Sequence, residues 1–174
     1  MTKPASHSFS ILPYRRELAV AYAHRWAYGR NPAYYNYDAI GGDCTNFASQ
    51  CLYAGAGVMN GTPTFGWYYW NANEKAPAWT GVPYFFNFIT RGAVNPGPFG
   101  REVPIEEIQP GDFAQLSFDG VTFGHTPIIV ATGKDPSIHN TLVAAHSNDA
   151  DYFPLSSYPF RTIRFLHIEG VYPQ

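Results

Sequence analysis

The chain has 174 residues, 45% of them hydrophobic and 14% charged, with a formal net charge of -2. That length suits one domain that buries a core without disulfide staples, and the charge leaves no basic stripe for phosphates, which argues against nucleic acid as a partner. No segment reaches about 18 apolar residues, so no membrane span is expected, and the opening MTKPASHSFSILPYRREL lacks the continuous apolar run of a signal peptide.

Residues 1–12 read as a flexible lead-in. PYRRELAVAYAHRWAYGRN (13–31) predicts a helix: Pro13 suits a first turn, and Leu18, Ala19, Tyr22, Ala23 and Trp26 recur at helical spacing. Gly29 and Asn31-Pro32 end it. A tyrosine-rich loop, AYYNYDAIGG, delivers the chain to Asp43 and a second helix starting at Cys44. Asp43 is a natural N-cap, its carboxylate expected to accept from first-turn amides. Cys44, Phe47, Ala48, Cys51 and Leu52 form one apolar stripe, and GAG at 55–57 stops the helix.

Residues 58–100 are irregular and aromatic, with a short helix expected in VPYFFNFIT (82–90). From 101 the texture changes. Strands are expected in 112–118, in HTPIIVATG (125–133), in NTLVAAHS (140–147) and in RTIRFLHIEGVY (161–172). Short strands between turn signals indicate an antiparallel meander. Helices first and a sheet afterwards make the fold class α+β.

The two cysteines, Cys44 and Cys51, differ in chemistry. Seven helical residues separate them by about 10.5 Å along the axis, beyond the Cα separation of about 7 Å that a disulfide tolerates. The same spacing chelates poorly and no C-x-x-C or H-E-x-x-H motif is present, so no metal and no other cofactor is expected. Cys51, mid-helix on the apolar stripe, reads as a small core hydrophobe. Cys44 lies at a helix N-terminus, where unpaired amides and the positive end of the dipole favour a thiolate and could hold an oxyanion. The glycine pair before it lets a loop approach without side-chain clash. Cys44 is the candidate nucleophile.

A nucleophilic cysteine needs a base, and the base needs an orienting group. His7 lies in the lead-in, His24 on the first helix, His139 in an exposed turn and His167 on a solvent-facing strand position. His125 opens one strand and His146 closes the next, so an antiparallel pairing brings them to one sheet edge. Asn148 and Asp149 compete with His146 for the orienting role.

The stretch from Tyr14 to Met59, with its GGDCTNFASQ core, followed in order by IQPGDFAQL, GHTPIIV and VAAHSND, resembles the putative bacterial amidase domain family over most of residues 13–168. That family looks like a branch of the papain-like hydrolases, with the CHAP and NlpC types. The resemblance implies a papain-like domain over 1–174 with its N-terminal helices on a C-terminal antiparallel sheet. It implies Cys44 as nucleophile, His125 as base and His146 as the orienting residue. Two features depart from it. Pro127, two residues after His125, implies an edge, strand start or bulge. No distinctive oxyanion side chain stands out, and Tyr37 is the candidate.

The implied activity is hydrolysis of an amide bond in bacterial peptidoglycan or its stem peptide, by a monomer acting at the cell wall after secretion or phage release. The high aromatic content, 17%, offers Trp67, Trp70 and Trp79 as candidate groove residues. The alternatives are an inactive papain-like module that binds glycan or peptide, and an acyltransferase using the same triad.

Overall fold

The computed structural model describes residues 10–174. Its helices are α1 (Arg16–Trp26), α2 (Cys44–Ala56), α3 (Pro77–Thr80) and α4 (Val82–Ile89). Its strands are β1 (Tyr69–Asn71), β2 (Glu74–Lys75), β3 (Gly97–Val103), β4 (Phe113–Ser117), β5 (Ile128–Ala131), β6 (Leu142–Ala145), β7 (Ala150–Pro154) and β8 (Thr162–Tyr172). Strands β1 and β2 pair as a small ribbon. The other six form one antiparallel sheet in the order β3-β8-β4-β5-β6-β7. No helix among the described residues is long and apolar enough to cross a membrane.

The period-two alternation of the strands splits the core in two. Phe113, Ile128, Val130, Ala144, Leu166 and Ile168 join a cluster with Ala19, Ala23, Phe47, Cys51 and Leu52, placing α1 and α2 on that face. Their strand neighbours Ala114, Leu116, Ile129, Val143 and Phe165 point the other way, onto Val103, Ile108 and Leu155. β4 is therefore buried along its whole length.

The expected meander holds for β4 to β6. Beyond them β8 returns between β3 and β4, and the outer strands β3 and β7 are not among the expected strands. β3 begins in NPGPFG and β7 ends at Pro154, the composition tolerated at a sheet edge, where one side of the strand needs no ladder partner. α1 is also shorter than 13–31. Leu12 exchanges two backbone hydrogen bonds with Val171, at 2.8 and 3.0 Å, and the Tyr14 hydroxyl donates to the Gly111 carbonyl at 2.7 Å. These ties hold the chain extended until Arg15. Of the expected lead-in, residues 1–9, His7 included, lie outside the described residues, and Leu12 is anchored to the sheet.

α2 departs from the one-stripe reading, since Thr45 to Leu52 are all buried. Its polar side chains are satisfied inside. The Trp67 indole N–H donates to Ser49 Oγ at 3.0 Å, and the Trp79 indole N–H donates to Asn46 Oδ1 at 3.0 Å. Gly57 ends the helix in the left-handed conformation, φ 70°, where glycine is favoured.

Phe113 is fully buried, packs edge-on to Phe85 at 5.2 Å and sits where β4 meets both β5 and β8. Phe113→Ala is expected to cost about 3–5 kcal/mol, read as a lower urea midpoint at unchanged slope.

Candidate active site around Cys44

Asp43 precedes α2 without capping it by its side chain. The carboxylate is 1% exposed and turns back into the protein. Oδ1 accepts from the Tyr37 amide and from Asn46 Nδ2, both at 2.9 Å, and Oδ2 accepts from His146 Nδ1 at 2.7 Å, with Arg30 Nε 3.6 Å away. This corrects the N-cap expectation. A buried carboxylate requires several donors, and the loop and β6 supply stronger ones than the helix amides. Among the described residues, no side chain caps the helix and no acceptor takes the amides of Cys44 or Asn46, which leaves that helix end open.

Gly41 and Gly42, at φ 84° and 99°, make the turn into the site. A Cβ on either would meet nothing within 4 Å, so glycine is required by the backbone conformation and not by close approach. Arg30 braces this turn. Its guanidinium donates to Asp38 Oδ2 at 2.8 Å and Asp149 Oδ1 at 2.9 Å, while Ser147 Oγ donates to Asp38 Oδ1 at 2.7 Å.

Cys44 is half-buried, and its thiol lies against the Gly124 carbonyl at 3.8 Å and Thr45 Oγ1 at 3.6 Å. Thr45 and Thr126 share a hydroxyl contact at 3.2 Å, which pins the first turn of α2 to the segment bearing His125. That segment is held in turn by β4: the Leu116 amide donates to the His125 carbonyl at 3.0 Å, and the Gly124 amide donates to the Leu116 carbonyl at 2.9 Å. β5 itself begins at Ile128, so Pro127 sits at a strand start. Both cysteines are free thiols, and Cys51 is fully buried.

The electrostatics differ from the sequence-based expectation. Burial pushes the Cys44 thiol up; the Thr45 hydroxyl and the backbone of Thr126 and Thr45 oppose this, and the Asp43 carboxylate adds to it. Burial also lowers His125 from 6.5 to about 4. The resting pair at neutral pH is thus a thiol and a neutral imidazole, because neither charge is well solvated in this crevice.

His125 and His146 do not meet. Among the described residues no hydrogen bond joins them, nor His125 to the Cys44 sulfur. His146 donates from Nδ1 to Asp43, and its Nε2 lies 2.8 Å from the Trp26 carbonyl oxygen and 3.1 Å from Arg30 Nη1. Its ring stacks on Phe47 with centroids 4.0 Å apart. Of its competitors, Asp149 is paired with Arg30 and Asn148 is exposed. The partner of His125 is Tyr158, whose hydroxyl is 3.4 Å from Nε2. Sequence reading missed Tyr158, which follows a short helical turn 33 residues on and carries no motif. Phe118, Gly124, His125, Ser147, Asn148, Tyr158 and Pro159 line an open pocket of about 370 Å³.

Trp67 and Trp79 are 0% exposed and belong to the core, where their indoles satisfy α2. Trp70 is 57% exposed and stacks on Tyr68 at 5.4 Å. The Tyr37 hydroxyl is buried without a hydrogen-bond partner among the described residues, and burial raises it to about 12. His167 is partly exposed, and its Nδ1 donates to the fully buried Asp112 carboxylate at 2.8 Å, which Arg16 also holds at 2.7 Å. His24 pairs with Asp151 at 2.8 Å. No group of three or more His, Cys, Asp or Glu among the described residues is arranged to hold a metal ion.

Two measurements follow. Asp43→Ala leaves three donors unpaired in a buried site, and is expected to cost about 3–5 kcal/mol in urea unfolding. His125, low in the folded chain and near 6.5 when unfolded, takes up its proton preferentially on unfolding, so its contribution is intact above about pH 6.5 and fades towards pH 4. The stability gap between the native protein and His125→Gln is expected to shrink by about 3 kcal/mol from about pH 7 to about pH 4.

Comparison with known proteins assigns the chain at the family level. The chain is 36% identical over 123 residues to the uncharacterized protein YhbB of Bacillus subtilis (strain 168), an alignment covering 70% of this chain and 38% of that protein's length. No solved structure matches. Residues 13–168 match the family described as "Putative amidase domain", and the chain belongs to that family.

Proposed function

We propose that this chain is a cysteine-dependent amidase that hydrolyses an amide bond of bacterial peptidoglycan through a thioester acyl-enzyme. Cys44 is the nucleophile and His125 the general base. The observation that carries this reading is the position of Cys44: half-exposed on an uncapped helix end and held beside the His125 segment. Family membership supports amide chemistry. The wall substrate rests on the resemblance to papain-like wall hydrolases, with the N-acetylmuramoyl-L-alanine bond or a stem-peptide bond as the target.

Attack begins from the neutral pair. His125 takes the Cys44 proton as sulfur bonds to the carbonyl carbon, and the developing oxyanion turns to the open amides of α2. Tyr37, with its unpartnered hydroxyl, is the candidate side-chain donor. The imidazolium then protonates the leaving amine, and neutral His125 activates water to cleave the thioester. His146 serves Cys44 through Asp43 in this scheme, by holding the turn that presents the nucleophile. Trp70 is the candidate aromatic contact for the substrate.

The test is product analysis by mass spectrometry on purified muropeptides. The expected result is one new free carboxyl and one new free amine at a single amide bond, with the rate falling about 10³-fold or more in Cys44→Ala. Unchanged turnover in that variant would overturn the cysteine mechanism, and release of sugar alone would overturn amide cleavage.

A further inference from the structure

The residue that orients a catalytic imidazole is recognised by the bond it makes to the ring nitrogen that does not face the nucleophile. Every group named for that role from sequence is engaged elsewhere or exposed: His146 by Asp43, Asp149 by Arg30, and Asn148 facing solvent. Tyr158 is the side chain bonded to His125 among the described residues. Its hydroxyl is 3.4 Å from Nε2 and the two ring centroids are 5.3 Å apart. The phenol is fixed from behind by Phe153, edge-on at 5.0 Å, and its amide donates to the Leu155 carbonyl. It also lines the pocket shared by Gly124 and His125.

We propose that Tyr158 is the positioning residue of this site, its oxygen accepting from His125 Nε2–H and so reserving the lone pair of Nδ1 for the Cys44 proton. This rests on the cysteine-hydrolase reading. When Nδ1 is protonated, the Nε2–H···Oη bond becomes charge-assisted and stabilises the imidazolium without any proton leaving the phenol. Burial, with a negative charge on Cys44 adding to it, pushes Tyr158 up to about 12, so the hydroxyl stays neutral and the ring cannot neutralise His125 by giving up its own proton.

Tyr158→Phe removes the oxygen and keeps the ring that packs on Phe153 and His125. The readout is the rate of Cys44 alkylation by iodoacetamide from about pH 5 to about pH 10, with Cys44→Ala subtracting any reaction at Cys51. Because the pair rests neutral, His125 takes the thiol proton as the sulfur is alkylated, and a weaker imidazolium is expected to lower the rate near pH 7 about threefold or more in Tyr158→Phe. In a His125→Ala background the same substitution is expected to do nothing, since the effect runs through the imidazole. A profile that overlays the native one overturns the proposal, as does a loss of rate that persists without His125. Alkylation needs no substrate, so either result is distinct from a failure of the muropeptide assay.

Discussion

A carboxylate with 1% exposure stands directly before Cys44, and the geometry of the site follows from the way that charge is compensated. Buried without partners, Asp43 would be too costly to keep ionised. Its donors come from three places: the Tyr37 amide in the tyrosine-rich loop, Asn46 in the first turn of α2, and His146 at the end of β6. Satisfying one anion therefore ties a loop, a helix and a strand end to a common point, one residue from Cys44. Because the carboxylate faces inward, the helix amides keep no side-chain cap. The interaction that fixes the turn also leaves the helix end available to a developing negative charge.

The other side of the site is built by the sheet. His125 is fixed by its backbone pairing to Leu116, three residues before the start of β5, and the Thr45–Thr126 contact brings the helix to it. The crevice between them is dry enough to raise the thiol and lower the imidazole. Water exclusion thus acts against the helix end here, so an ion pair is not the resting state. In the proposed mechanism, substrate binding is the step at which the pair exchanges its proton, where the oxyanion, the amides and the imidazolium compensate one another.

Much of the fold was legible because it depends on local pattern. The start of α2 at Cys44, its glycine stop, the short α4 and the four apolar strands follow from period and turn residues. What was missed is informative. β3 and β7 carry proline, glycine and polar residues, as edge strands do, and gain their ladder bonds from β8 and β6, far away in sequence. The tryptophans looked like groove residues because a loop-rich, aromatic segment resembles a binding surface on paper. Two of them instead insert their indole N–H groups into α2, which explains why a buried helix carries Asn46 and Ser49.

Cys44 and His125 could be chosen on residue type, helix-end position and strand order, since each of those is a property of a short stretch. Their partners could not. His146 bonds Asp43 while Tyr158 bonds His125, and which side chain reaches which nitrogen is decided across 103 and 33 residues of chain. Hydrogen bonds of that kind have no sequence period. They are set by where β6 ends, where the turn after β7 returns, and which of several polar groups can be buried with its donors and acceptors filled.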